Sequence, residues 1–200
     1  MSWHIWKKNY TVYVNSKFDK WLLSESNLTR VRSLYGLRPY HNWNHIEKCI
    51  RLLKSRLCSF ITDELLFATI YHDVIYNPSS KTNEEDSVEM SKLELSDMGL
   101  NLNKIESLIL STKHIHDFVA ADDETECILD VDLSILGSPM DEYNEYSRSI
   151  REEYLFINYI DYSKERIKFL EKMISRERIF YKLTDLELVS RKNMKNEILH

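Results

Sequence analysis

Glycine and proline are scarce in this chain, three of each among 200 residues, and that scarcity narrows the fold before any motif is read. Sheets turn back on themselves through tight turns. Those turns favour Gly, Asn and Pro, whose backbones adopt or preset angles that other residues reach only at a cost. A chain with so few of them favours long helices joined by a few loops. The apolar spacing agrees. From Trp43 to Phe60, apolar residues fall at Ile46, Cys49, Ile50, Leu53 and Leu57, the repeat of a helix with one buried face. "TDELLFATIYHDVIY" opens with a Thr and an acidic pair, a helix start. "NEEDSVEMSKLELSDMG" runs from a capping Asn83 to a stop at Gly99. Ile105, Leu108, Ile109 and Thr112 carry the spacing through "NLNKIESLILSTKHIHDF". Asp122 and Asp123 read as a loop, and "ETECILDVDLSILG" as a helix ended by Gly137 and Pro139. From Asp141 onward, Tyr143, Tyr146, Ile150, Tyr154 and Phe156, then Ile167, Leu170 and Ile174, predict two or three more helices. "YTVYV" near the start is β-prone but isolated. The expected fold is all-α, with no repeat, linker or low-complexity tract.

Composition bounds the function. The length suits one domain with a real core. The hydrophobic share of 43% is that of a globular protein. Lys and Arg number 27 against 32 Asp and Glu, a net charge of −5, so there is no basic excess for bulk nucleic-acid or anionic-membrane binding. No run approaches the ~20 apolar residues of a membrane span. "MSWHIWKKNYTVYV" lacks the pattern of a signal peptide. Cys49, Cys58 and Cys127 are odd in number, far apart and without a CxxC pair. They point to a reducing, cytoplasmic setting rather than a disulfide or zinc-thiolate framework.

Several polar residues are set into apolar faces. His45 lies beside Ile46 and Cys49; His72 and Asp73 end an apolar run; His114 and His116 end another; Asp130 and Asp132 interrupt "CILDVDLSIL". Burying one unpaired carboxylate costs several kcal/mol. Convergence on a divalent cation resolves that cost for all of them together, and imidazole with carboxylate suits such cations. The alternative is that each is a core residue satisfied by ordinary hydrogen bonds.

In order along the chain, "RPYHNWNHI" (38–46), "ATIYHDVIYNP" (68–78), "NEEDS" (83–87), "STKH" (111–114), "LDVDLSILG" (129–137) and "IREEY" (150–154) resemble the HD superfamily of metal-dependent phosphohydrolases. Within it they resemble a bacterial and phage-type family of predicted HD phosphohydrolases. "RIFY" and "LVSRKNMKNEI" extend the likeness to about Ile198. The resemblance implies an HD-type helical bundle, one domain over 18–200 behind an N-terminal segment, 1–17. It implies His45, His72, Asp73 and Asp132 as metal ligands, with His45 preferred over His41 and Asp132 over Asp130. Members with two metals imply a bridging Asp73 and an extra ligand, for which His114 is the candidate and His116 its rival. The cofactor is a divalent metal, with Mn, Zn, Fe, Mg, Co and Ni all open.

The expected activity is hydrolysis of a nucleotide or related small phosphoester by metal-activated water. Asp73 with Glu84 or Glu85 is expected to supply the acid–base work. His41, Arg38, Lys113 and Arg151 are expected to bind substrate. The competing readings are an HD-fold nucleotide-binding or regulatory module without turnover, a purely helical interaction protein, and, as a minor variant, a two-iron oxygenase. At helical spacing most of the aromatics read as core; Trp43, between His41 and His45, is the candidate to stack on a base.

Overall fold

The computed structural model describes residues 16–57, 61–114 and 120–199. Ten α-helices and no strand are found among the described residues, the all-α fold expected. No helix among them is long and apolar enough to cross a membrane. The helices are α1 (Lys17–Leu23), α2 (Glu25–Tyr35), α3 (Trp43–Leu52), α4 (Asp63–Tyr71), α5 (Asn83–Leu95), α6 (Leu102–Ser111), α7 (Asp123–Leu133), α8 (Met140–Glu153), α9 (Tyr159–Ser175) and α10 (Glu187–Leu199). The isolated "YTVYV" lies outside the described residues. The backbone N–H of Lys17 donates to Asp63 Oδ2 at 2.9 Å, tying the first turn of α1 to that of α4.

Local chemistry explains most boundaries. Thr62 caps α4, accepting from Leu65 N, as its sequence predicts. Gly99 ends the turn after α5 with φ +61, a left-handed conformation that costs glycine little. Two boundaries differ from expectation. Asn83 is the first residue of α5 rather than its cap, because its side chain is used sideways: Oδ1 accepts from Asn77 N and Nδ2 donates to Asn77 O. Asp122 is not loop but the cap of α7, accepting from Thr125 N. The helix expected over 43–60 passes at Leu53 into a π turn ending at Leu57, and 58–60 lie outside the described residues.

α4 is the centre of the bundle. Leu65 through Tyr71 are all buried, and a helix apolar on every side must be enclosed. It packs against α1, α3, α5, α6 and α7 around one core that includes Phe18, Ile46, Phe67, Ile70 and Ile109. A second core forms between α8, α9, α10 and the turn after α7, on Leu136, Tyr143, Leu170, Phe180 and Met194. Leu52 and Leu57 touch both. Asp130 fastens the second unit to the first. Its carboxylate accepts from the backbone N–H groups of Tyr181, Lys182 and Leu183 at 2.8, 2.6 and 2.7 Å. Asn193 adds bonds to the carbonyls of Leu136 and Ser138.

Candidate metal centre

Four side chains from three helices meet between these cores. Asn42 caps α3, accepting from Asn44 N and His45 N, and so sets His45 in the first turn. The Nδ1 of His45 lies 3.2 Å from the Tyr40 hydroxyl. His72 is the C-terminal cap residue of α4, where its Nδ1–H reaches the Thr69 carbonyl at 2.9 Å. That bond leaves Nε2 as the free nitrogen, the arrangement common to metal-binding imidazoles. Asp73 follows directly, and Asp132 projects from the last turn of α7.

The donor atoms of His45, His72, Asp73 and Asp132 all lie within 4.8 Å of one another. His72 Nε2 is 3.1 Å from Asp73 Oδ2 and 3.4 Å from Asp132 Oδ1. His45 Nε2 is 3.3 Å from Asp132 Oδ1, 3.4 Å from His72 Nε2 and 3.7 Å from Asp73 Oδ2. The imidazole side chains are 5% and 1% exposed and the carboxylates 16% and 17%, so histidines form the floor and carboxylates face open space. Two nitrogens and two carboxylates fit a divalent cation. The group that could hold such a cation contains Asp132 and not Asp130.

The electrostatics point the same way. Burial works against the charged form of His72, yet Asp73 and Asp132 raise its pKa well above the ordinary histidine value. Burial pushes the Asp73 carboxyl up, but His72 and then His41 outweigh it and hold Asp73 below the carboxylate range. Asp132 is likewise held well below, against burial, by hydrogen bonds from His114, His45 and His72. The cluster demands positive charge at its centre.

The other expected residues divide. His114 joins the site from the far side of Asp132, with Nε2 2.7 Å from Oδ2, and stands outside the group of four. Its φ is +51, a left-handed conformation costing a non-glycine residue about 1–3 kcal/mol. Its carbonyl accepts from Arg176 Nη2 at 2.9 Å. His116 lies outside the described residues. A cavity of about 600 Å³ opens from Asp73, Asp132 and His114. Glu84 lines it, and burial raises the pKa of its carboxyl. Glu85 is exposed and tied to Lys113, whose hydrogen bond lowers its pKa. Lys113 also lines the cavity.

Arg38 and Arg151 are placed differently from expectation, because backbone carbonyls claim both. Arg38 donates to the carbonyls of Tyr35 and Asp73, at 2.8 Å each, and so pins the Asp73 backbone. Arg151 donates to those of Tyr154 and Ile157. Neither is among the residues lining this cavity. Trp43 is away from it too, donating to Glu47 and packing on Tyr35.

His41 does face the cavity. Its Nδ1 is 2.6 Å from Glu153 Oε2, and its ring stacks on Tyr76 with centroids 3.7 Å apart. Glu153, Tyr76, Tyr40 and Thr69 escape sequence reading. Glu153 and Tyr76 touch the site through His41, distant in sequence, while Tyr40 and Thr69 act on His45 and His72 close by in the chain, and no residue type or spacing marks any of the four.

No protein-family model, curated protein or solved structure matches this chain. The geometry offers a cluster that could hold a cation, at one wall of a partly open cavity that Glu84 and His41 also line.

Proposed function

We propose that this chain is a metal-dependent phosphohydrolase of the HD type, acting on a nucleotide or related small phosphoester. The observation that carries the reading is the convergence of His45, His72, Asp73 and Asp132 at the wall of a cavity large enough for such a substrate. Those four residues would hold a divalent cation of the Mn, Zn, Fe, Mg, Co or Ni group. When bound, the cation supplies the charge compensation and water acidification that phosphoester hydrolysis needs.

The chain's own residues supply the rest. Asp73 and Asp132 present oxygens to the cavity. Glu84, with its carboxyl pKa raised by burial, is suited to moving a proton at its carboxylate oxygen. Glu85, engaged with Lys113 at the surface, is not used in this reading. His41, held through Nδ1 by Glu153, presents its other nitrogen to bound substrate. Arg38 fixes the Asp73 backbone and so keeps the carboxylate in register. Lys113 offers positive charge at the rim. Cys49 and Cys127 are buried, and the wide spacing of the cysteines in the sequence is in keeping with a cytoplasmic protein.

The test is phosphate or nucleoside release from a panel of nucleotides with Mn²⁺ supplied. The comparison is between the unaltered chain and the double substitution His72→Ala/Asp73→Ala. Release only by the unaltered chain is the expected result. Nucleotide binding without release by either would replace the hydrolase with a binding module.

A further inference from the structure

A second cleft, of about 780 Å³, is bounded by α8, α9 and α10. It shares Tyr162 and Arg166 with the cavity at the metal cluster and is otherwise lined by different residues. None of His45, His72, Asp73 and Asp132 is among them.

Charge sets this cleft apart. The chain as a whole carries −5, yet the charged residues lining the cleft are three arginines, Arg148, Arg151 and Arg166, against one glutamate, Glu197. A carboxylate has roughly four lone-pair sites, and Glu197 fills them within the protein. Its Oε1 accepts from Ser147 Oγ at 2.9 Å and from Arg166 Nε at 2.8 Å. Its Oε2 accepts from the Tyr143 hydroxyl at 2.5 Å and from Arg166 Nη2 at 3.2 Å. Arg166 and Glu197 thus form a closed pair, which leaves the charges of the other two arginines unmatched.

Arg148 is exposed and makes no ion pair or side-chain hydrogen bond with any described residue. Arg151 donates to the carbonyls of Tyr154 and Ile157. Those bonds hold its guanidinium in place, and its ring-facing side lies over Tyr162 at 4.7 Å, but no anion neutralises it. The two arginines are three residues apart on α8, so they are neighbours on one helix face. A cleft concentrates the field of the charges that line it, and forked N–H groups match the oxygens of a phosphate. Beside them the lining is apolar, on Ile167, Leu170 and Ile198, with the exposed ring of Tyr159. Apolar surface with a few convergent polar groups is the usual make-up of a small-molecule site.

We infer that the cleft between α8, α9 and α10 is a second small-molecule site, taking a phosphate-class dianion that carries a flat apolar body. Arg148 and Arg151 hold the anion, and Tyr159 packs against the body. The site needs no metal and does not depend on the phosphohydrolase reading.

The test is titration calorimetry on the full chain at about pH 8, where phosphate-class probes are largely dianionic. A chelator is present so that the metal cluster takes no part. The probes are phenylphosphonate, which cannot be hydrolysed as an ester, inorganic phosphate, and neutral benzyl alcohol. Phenylphosphonate is expected to bind more tightly than phosphate, and benzyl alcohol not measurably. Arg148→Ala is expected to weaken both anions about tenfold, the loss of a charged hydrogen bond, and Arg148→Lys to restore part of it. Because Arg148 is exposed, its variants are expected to fold, which their thermal midpoints check. Tyr159→Ala is expected to weaken phenylphosphonate alone. Lys113→Ala, which alters the first cavity and not this one, is expected to leave both affinities within about twofold. No binding of either anion, equal binding of benzyl alcohol, or unchanged affinities in Arg148→Ala would overturn the inference. So would an equal loss in Lys113→Ala, which would place the anion in the first cavity.

Discussion

His41 Nδ1 sits 2.6 Å from Glu153 Oε2, and the other oxygen of that carboxylate accepts the backbone N–H groups of Tyr40 and His41, each at 2.9 Å. One side chain from the end of α8 thus holds the loop that leads into α3 and aims the imidazole at the cavity. Glu153 is 3% exposed, so removing it leaves three donors unmet in a dry place. We expect Glu153→Ala to lower unfolding free energy by about 2–4 kcal/mol, measured by urea denaturation. Glu153→Gln, which keeps an acceptor oxygen, is expected to cost less. Although burial opposes it, hydrogen bonding to His41 lowers the Glu153 pKa. A lowered carboxylate contributes stability above its unfolded pKa and loses it as pH falls through the folded one. The gap between the unaltered chain and Glu153→Gln should therefore narrow on acidification below about pH 4.5.

Asp130 and Asp132 make the sharpest contrast in the chain. Two positions apart on one helix, they point to opposite sides: Asp132 into the metal cluster, Asp130 onto three backbone N–H groups of the 181–183 turn. Asp132→Asn should abolish high-affinity Mn²⁺ binding while leaving the thermal midpoint within a few degrees. Asp130→Ala should do the reverse, keeping metal binding in whatever fraction folds and costing about 3 kcal/mol or more. Metal titration and thermal unfolding of the two variants decide it. Loss of metal in Asp130→Ala at full folding would reverse the assignment.

That pair also shows where sequence reading stops. The helices were legible because their apolar spacing repeats locally, and the cap at Thr62 because its partner is three residues away. The ligand types His45, His72, Asp73 and Asp132 stood out as polar groups on apolar faces. Which of two nearby aspartates turns inward depends on what α9 and α10 bring to the other side, and nothing local encodes that. The same holds for Arg38 and Arg151. An arginine near a phosphate-sized site looks like a grip, and the fold shows Nε and Nη1 of Arg38, and Nη1 and Nη2 of Arg151, donating to backbone carbonyls. Asn83 misled in the same way, since its side chain closes the 77–83 loop instead of capping α5.

Metal binding should depend on pH with a definite sign. In the metal-free cluster, a proton on His72 provides the positive charge that Asp73 and Asp132 require, which is why the His72 pKa is raised well above 6.5. A raised histidine contributes stability fully below its unfolded pKa and loses it as pH rises through the folded one. A cation must displace that proton. The increase in thermal midpoint produced by saturating Mn²⁺ should therefore be small near pH 6 and grow toward pH 8 or above. Differential scanning fluorimetry across that range checks it. A shift independent of pH would place the metal elsewhere.

Gly137 tests how the turn after α7 packs into the second core. A Cβ built there would lie 2.6 Å from Leu186 Cβ and 3.2 Å from Leu186 Cγ, closer than carbon atoms pack. Gly137 has no positive φ, so backbone conformation does not demand glycine. Space does, because the turn after α7 presses directly on the turn preceding α10. Leu186 Cβ is fixed to its own backbone and cannot swing aside, so Gly137→Ala must separate the two turns. The expected cost is about 1–3 kcal/mol. Leu186→Ala keeps the Cβ and relieves only the longer contacts with Cγ and Cδ1, whereas Leu186→Gly in the Gly137→Ala background removes the atom at 2.6 Å. Partial recovery in that double substitution, beyond the sum of the single effects, would show coupling between the two positions. The readout that links this contact to the site is Mn²⁺ affinity. If the turn after α7 holds Asp132 in place, Gly137→Ala should weaken metal binding as well as the fold. A loss of stability with unchanged affinity would mean that α7 positions its carboxylate without help from the second core.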